Sequence, residues 1–564
     1  MKLPGTKSAL SDEAVNIAKQ CMNDVQDRMD QYVRWRNYTY SGCADVSKPA
    51  ILNKVGPHID RTSSQLFSPS EVRFLVEFGT VADKEWQQRE YTIGRHLSDE
   101  FHGSNADLCF SEGVNWALVY GAAFTKTLWN VGKTKDGRET GGKVDPHLVM
   151  PYQIGVWRPD INGLDRQEAF CHVTYIGRSD LWRRLAGHSD RDSIMAKVGK
   201  ASLERTEDDI DNIVHQVIIG GITPVTQGTA SGTKGTVDVS NFIGLPQLSH
   251  EAARDLVRFV ELWIKDDDRG DYTTLQYVDP DILIEGGDKK RNIFMDGHHP
   301  FRLIQPNPQR GLFWGRSEIA DLQLLQDILA RRLDDIAHIW RLRAQPPRAL
   351  IGFSQLTDEA RAAFSSPNGL IMNENPNAKI EPLAPDLPQE AFQQVDSIVR
   401  YFDETAGFPA VMRGEGEPGM RSGQQTDSMT RTASARLRDR ALIVERECAE
   451  MGALVLDILR DKDPTSFPIE GTTEGFLLDQ MPDIVKVTVD SHSSSPAFTS
   501  DHRQLAFSLA RAQAIGPEGL LRLVNPPQLD MLLNELHEKE KRQAELMRQH
   551  PELLEKSLKG GKKK

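Results

Sequence analysis

The chain is short of cysteine, of long apolar runs and of positive charge. Five cysteines (Cys21, Cys43, Cys109, Cys171, Cys448) are scattered through 564 residues. Their number is odd and no two stand in a C-x-x-C spacing, which indicates neither a disulfide framework nor a zinc site. Folding in a reducing cytoplasm is the simple expectation. No run approaches the ~20 apolar residues needed to cross a bilayer, and the opening Met1-Lys-Leu-Pro-Gly5 lacks the apolar core of a signal peptide. The chain is therefore expected to be neither exported by its own signal nor embedded in a membrane. Lysine and arginine number 68 against 81 aspartates and glutamates, a net charge of −13. Affinity for DNA phosphates rests on basic side chains that release counterions, so tight, static DNA binding is disfavoured. An acidic surface suits a protein that DNA slides past; it equally serves to keep a chain of this size in solution.

Catalytic signatures are missing too. There is no G-x-S-x-G, no H-E-x-x-H and no G-x-x-x-x-G-K-[ST], so an ATP-driven step would need another protein to supply its energy. Gly414-Glu-Gly-Glu-Pro-Gly419 spells G-x-G-x-x-G. A helical pattern rather than a strand precedes it, however, and Glu415 and Glu417 would repel a pyrophosphate. Asp266-Asp-Asp268 lacks the alternation and closing glutamate of a calcium loop and reads as a solvated strand end. His298-His299, just before Pro300, reads as a turn, since no third ligand stands at usable spacing. No catalytic residue, metal or cofactor is expected.

What is present is a long helical arrangement between Ser317 and Leu459. A helix starts at Ser317, an N-cap residue, and stops at Pro346-Pro347. Leu322, Leu325, Leu329, Leu333, Ile336 and Trp340 recur on it at spacings of three and four, over a length of roughly 40 Å. That stripe is more apolar surface than one partner helix covers. A second helix, Gln389 to Ala406, carries Phe392, Val395, Ile398, Val399 and Phe402 on one face. Between them lies a small insert with short apolar runs at 349–351, 369–372 and 379–380. The segment from Gly407 to Gly423 is too rich in glycine and proline for regular structure. Beyond it Met429, Ala433, Leu437, Ala441, Val444, Cys448, Met451, Val455 and Ile458 form a stripe about eight turns long. Arginines along these helices (Arg331, Arg332, Arg341, Arg343, Arg431, Arg436, Arg438, Arg440) alternate with Asp327, Asp334, Asp335 and Asp439, a pattern for pairing between neighbouring helices.

The full 564 residues have room for three or four domains at ~150 residues each. Ser11 to Arg36 reads as an amphipathic helix. The interleaved Arg34-Trp35-Arg36 at its end reads as packing at a helix end, with stacking on nucleic acid as the alternative. Helical patterns follow at 52–67, 84–101 and 106–118, with a strand at Phe74–Phe78. From Phe124 to about Phe301 the pattern is mostly β, with helical interruptions at 181–186 and 192–197 and a polar loop or arm at 220–241. Arg258 to Ile264 alternates partly, as a half-buried strand does. Asp483 to Val489 is a short alternating strand. His502–Ile515 and Pro527–Leu558 read as helices, and Lys562-Lys-Lys564 forms a basic tail.

This order of elements resembles the portal (head–tail connector) family of tailed bacteriophages, in which a stem helix descends to a clip and a second stem helix returns. His299-Pro-Phe301, Gly315-Arg-Ser-Glu-Ile319 and Leu324-Leu-Gln326 look like that family's entry into its first stem helix. Tyr120-Gly-Ala-Ala-Phe-Thr-Lys126 and Glu168-Ala-Phe-Cys-His-Val-Thr-Tyr175 resemble strands of its wing. The likeness covers residues 10 to 510. It implies an α+β ring subunit with a mixed α/β wing (1–316), stem helices at 317–345 and 389–406, and a small α/β clip at 346–388. A channel loop (407–423), a long kinked helix with a return wing strand (424–490) and a C-terminal helical crown and tail (491–564) complete it. Arg413, Glu415, Glu417 and Arg421 would face DNA in the channel, and the Leu322–Trp340 stripe would pack the stem.

The implied function is that of a ring of twelve subunits at one capsid vertex of the virion, assembled in the host cytoplasm. It would dock the terminase, contact capsid or scaffolding protein, pass double-stranded DNA in and out, and later bind tail or adaptor proteins. No membrane and no enzyme activity are implied. The alternatives are an enzyme of nucleic-acid processing with a helical hairpin arm, which needs a clustered carboxylate or nucleotide site, and a structural adaptor, which needs longer heptads.

Overall fold

A computed structural model of the chain describes residues 12–45, 49–69, 72–78, 84–133, 139–186, 188–206, 250–265, 270–278, 282–285, 294–295, 297–344, 348–351, 377, 379–382, 389–407, 423–463, 466–468, 475–482, 485–489, 506–512, 514–524 and parts of 532–542. In chain order the elements are α1 (Asp12–Ser41), α2 (Val55–Leu66), β1 (Phe74–Phe78), α3 (Lys84–Gly103), α4 (Ala106–Tyr120), β2 (Ala123–Lys133), β3 (Glu139–Val149) and β4 (Ile154–Val156). Then come β5 (Ala169–Gly177), α5 (Arg178–Arg184), α6 (Arg191–Leu203), α7 (His250–Asp255), β6 (Leu256–Lys265), β7 (Tyr272–Val278), β8 (Ile282–Glu285) and β9 (Phe301–Ile304). The remainder is α8 (Ile319–Ala344), β10 (Arg348–Ile351), β11 (Lys379–Pro382), α9 (Gln389–Ala406), α10 (Gly423–Lys462), β12 (Ser466–Pro468), β13 (Gly475–Leu477), β14 (Val485–Val489) and α11 (Pro517–Val524). The fold class is mixed α and β with antiparallel strand pairing. The chain divides into two compact units, one comprising residues 1–63, 112–128 and 146–436, the other 64–111, 129–145 and 437–564.

The first unit is built on a five-stranded sheet of order β4-β5-β6-β7-β8. The face carrying Cys171, Val173, Val260, Leu262 and Leu275 packs against Ala14, Ile17, Ala18 and Cys21 of α1. Small residues on that side of the helix let it lie close to the strands. The opposite face bears two apolar clusters. At one end Phe170 and Trp263 stack with ring centroids 6.0 Å apart, joined by Phe124, Phe301, Phe313 and Trp314. At the other, Ile176, Val257 and Phe259 pack with Leu181, Ile194 and Val198 from α5 and α6.

Strand β6 is thus buried on both faces, Phe259 through Ile264 without a break, and not half-buried as its alternation suggests. Its place between β5 and β7, with a helical layer on one side and other elements on the other, is the reason. Covering both faces removes the selection for polar residues that produces clean alternation.

In the second unit β1 and β14 pair antiparallel over five residues, Phe74 opposite Val489 through Phe78 opposite Val485. Glu77 and Lys486 stand directly across from each other, 3.2 Å apart. From Leu437 onward α10 buries Ala441, Val444, Cys448, Met451, Val455 and Ile458, the stripe expected from the sequence. The His96 imidazole lies 3.2 Å from the Asp463 carboxylate just beyond that helix. Helix α11 falls between the two C-terminal helices read from sequence, with Pro517 at its first position, where the missing N–H is no loss. Most of the segment 527–558 lies outside the described residues, as do the arm at 220–241, Asp266-Asp-Asp268 and the tail.

Candidate functional site

The helical hairpin of the first unit carries the functional expectations, and its root is fixed by polar contacts. Ser317 is 2 % exposed. Its hydroxyl donates to the Val119 carbonyl (2.5 Å) and accepts from the Ile319 N–H (3.1 Å), so one side chain caps α8 and ties it to the end of α4. The Glu318 N–H donates to the Leu118 carbonyl at 2.9 Å. Gly121 and Gly315 meet here backbone to backbone. A Cβ on Gly315 would stand 2.1 Å from the Gly121 carbonyl oxygen, and Gly121 has φ +87°, a conformation glycine adopts at no steric cost. Two motifs nearly two hundred residues apart in sequence, Tyr120-Gly-Ala and Gly315-Arg-Ser, are therefore one structural joint.

About two turns further along, fully buried Gln326 donates to the Leu52 carbonyl (2.8 Å) and accepts from the Lys54 N–H (3.2 Å). The Tyr38 hydroxyl donates to Asp327 Oδ1 at 2.7 Å. Asp327 is thus bound by α1 rather than by an arginine of a neighbouring helix, correcting the pairing expected from its spacing. Arg332 pairs with Asp335 at 3.4 Å within α8 itself. Such an exposed i, i+3 contact contributes ~0–1 kcal/mol. The end of α9 is held by Lys54, whose ammonium lies 2.6 Å from Asp403 Oδ1 and 5.4 Å from the Phe402 ring centre. Phe402 is 1 % exposed and meets the His58 ring edge-on.

Away from this root the hairpin opens to solvent. Leu322 and Leu329 are buried, Leu325, Leu333 and Ile336 are half-buried, and Trp340 is 58 % exposed. Leu324 on α8 and Phe392 and Tyr401 on α9 are exposed as well. The apolar surface that the stripe offers is only partly covered within one chain. Beyond α8, β10 and β11 pair antiparallel, Arg348 opposite Pro382 through Ile351 opposite Lys379. Most of the insert lies outside the described residues. So does the loop containing Arg413, Glu415, Glu417 and Arg421, which the chain places between α9 and α10.

Chemically active side chains are gathered instead inside the five-stranded sheet's second face. Between its two apolar clusters, Glu261 of β6 accepts from the Lys126 ammonium (2.5 Å) and from His172 Nδ1 (3.0 Å) at Oε2, and from Gln276 (3.3 Å) at Oε1. All three ionisable groups are buried. Burial alone would raise the Glu261 carboxyl, but the Lys126 charge and the His172 bond outweigh it and hold it below its ordinary range. Burial, then the Lys126 charge, pushes His172 down, and burial lowers Lys126. The arrangement is a buried carboxylate held between Lys126 and His172, both of which burial makes harder to protonate. It joins β2 to the sheet as a buried polar fastening.

Nearby, a turn closes from Met295 to His298, with Gly297 at φ +81°, and His299 follows it rather than forming it. The His299 side chain, though, is 2 % exposed, faces Asp165 Oδ1 at 2.7 Å and is ringed by Phe170, Trp263, Tyr272 and Phe301. The close approach of His299 holds the Asp165 carboxyl at about 2. Sequence reasoning missed the Lys126–Glu261–His172 group. A signal was present: Glu261 interrupts an otherwise apolar run, and an acid in a buried strand requires a partner. Among the described residues no cluster of three or more His, Cys, Asp or Glu is placed to hold a metal ion, and no helix is long and apolar enough to cross a membrane.

Comparison with known proteins adds little to this. No protein-family model matches the chain, and no curated protein matches it. Among solved structures it is similar to a chain from the virion of a native gene transfer agent (GTA) particle, at 10% sequence identity over 90% of this chain and 94% of that one, with a TM-score of 0.40. At that TM-score the likeness carries no argument about fold or function.

Proposed function

We propose that the chain is the subunit of a portal ring, placed at one capsid vertex of a phage-like virion and serving as the conduit for double-stranded DNA. The observation that supports it best is the α8–α9 hairpin. It is fastened at one end by Ser317, Gln326, Asp327 and Asp403 and leaves Trp340 and Phe392 uncovered toward the other. A hairpin with a rigid root and an apolar outer face is suited to lateral contact with copies of itself, and head-to-tail contacts that close generate rings. The order hairpin, glycine-rich loop and 40-residue helix α10 agrees with the portal resemblance in the sequence. In this reading residues 346–388 form the clip that meets the terminase and later the tail or adaptor proteins, and the 407–423 loop faces the channel.

Native mass spectrometry of the protein, expressed alone and together with its capsid protein, tests the ring. A species of about twelve subunits is expected in at least one preparation. Monomers and dimers alone in both would overturn the reading. The clip has its own test, replacement of 346–388 by a short Gly/Ser link. The variant should assemble yet lose terminase in a pull-down, and undiminished capture would refute that assignment.

A further inference from the structure

The Arg34-Trp35-Arg36 motif is not absorbed by a portal reading, and the structure places part of it at a cavity. Helix α1, the segment 309–317 and the first turns of α8 border a half-open cavity of about 400 Å³. Its lining residues include Arg28, Arg34 and Arg316, Gln31 and Gln323, and Trp35, and no Asp or Glu is among them. On a chain of net charge −13, this site gathers three arginines, two of them matched by aspartates and one, Arg34, left over. Arg28 is positioned by Asp24 (3.5 Å) and by the Trp314 ring, whose centre lies 5.6 Å from its Cζ. Arg316 is positioned by a hydrogen bond to Asp321. Arg34 is exposed and makes no hydrogen bond or ion pair among the described residues. Trp35 is half-buried, its ring tilted against Tyr32 at 5.9 Å.

We propose that this cavity binds a phosphorylated nucleoside, with the phosphate on Arg34 and its two neighbours and the base against Trp35. Arginine's planar fork matches phosphate oxygens two at a time. A phosphate also concentrates more negative charge in a small volume than a carboxylate does. The volume falls in the range of small-ligand sites. An aromatic wall gives base stacking worth ~1–3 kcal/mol, a contribution an acidic peptide would not gain. Gln31 and Gln323 offer both donors and acceptors to base edges. The site belongs to the first unit and does not depend on ring formation. Its ligand comes either as a free nucleotide or as one residue of a nucleic-acid strand.

The test is titration of the full chain with dATP, with inorganic phosphate, with a ten-residue oligo(dT) and with a polyglutamate peptide, by calorimetry at low and moderate salt. Saturable one-to-one binding of dATP or oligo(dT) is expected, at least tenfold tighter than inorganic phosphate and weakened by salt. Arg34→Glu should weaken it at least thirtyfold, and Arg34→Gln by less. Trp35→Leu should reduce dATP to the level of inorganic phosphate, with circular dichroism unchanged in each variant. Preference for dATP identifies a free nucleotide as the source, and preference for the oligonucleotide identifies a strand. Absence of saturable binding to both, binding unaffected by Arg34→Glu, or polyglutamate competing as well as dATP would overturn the proposal.

Discussion

Trp340 offers the sharpest test of the assembly face. It is 58 % exposed on α8. An aromatic side chain buries 150–250 Å² in a core or interface, so a neighbour covering what is left open removes on the order of 100 Å² from water. At ~25 cal/mol/Å² that is about 2.5 kcal/mol per interface, a factor of roughly seventy in the association constant of each contact. A ring repeats the loss at every interface, so Trp340→Ala should move the dilution at which assemblies fall apart to far higher protein concentration. The isolated subunit should be nearly indifferent, since substitutions at exposed positions change stability by about ±0.5 kcal/mol. Sedimentation velocity across a dilution series reads the first effect, and thermal melting of dissociated subunit reads the second. Assemblies that persist unchanged at every dilution would show that this face is not an interface. A melt lowered by many degrees would show that Trp340 packs within its own chain, and the reasoning would fall with it.

Lys126→Met should leave Glu261 buried without its cation and destabilise the first unit by about 3–5 kcal/mol, the usual effect of breaking one side of a buried pair. Wild-type His172 is held neutral, its pKa depressed from 6.5, so its contribution to stability is present above pH 6.5 and is lost as pH falls from there toward the depressed folded value. Without the Lys126 charge the imidazole protonates more readily beside Glu261; the gap between variant and wild type should therefore be smaller at pH 5.5 than at 7.5 in denaturant titrations, and equal gaps would refute the coupling. Gly452→Ala puts a Cβ 2.2 Å from the Phe74 ring, which is 3 % exposed and edge-on to Phe101 at 4.9 Å. Overpacking of ~1–3 kcal/mol should appear in chemical denaturation of the second unit, and an unchanged midpoint would mean the ring moves aside freely. Gln326→Leu strands the Leu52 carbonyl and the Lys54 N–H at the hairpin root, at ~1–3 kcal/mol for each unsatisfied group; hydrogen exchange of 52–54 should accelerate, and protection equal to wild type would exclude that anchoring role.

The long helices were legible before any coordinates. A period of 3.6 is a local property, and the apolar spacing of α8, α9 and α10 declares the helices and their apolar faces. The serine at 317 and the prolines at 346 and 347 mark the ends of α8 by chemistry that acts within a few residues. The strands at 74–78 and 485–489 could likewise be read singly, but not as partners. Their pairing joins segments some four hundred residues apart, and nothing local in either specifies the other. Burial of β6 on both faces was hidden for a related reason, since alternation reports a face only when one side meets water.

The candidate sites divide along the same line. That Trp340 belongs to an apolar stripe is a matter of spacing; that it stands uncovered while Leu322 and Leu329 are buried depends on where α9 lies. The Arg34-Trp35-Arg36 motif was visible as residues, but the cavity beside it exists only because residues near 309–317 and the start of α8 return to α1. The Gly121–Gly315 joint and the Lys126–Glu261–His172 group are likewise contacts between distant segments. Sequence by itself determined the elements, their polarity and their order, because these follow from interactions among neighbours along the chain. Which elements touch, which charges are sheltered and which apolar surfaces stay open was decided by tertiary packing, because those outcomes depend on loop closures that no single stretch of sequence encodes.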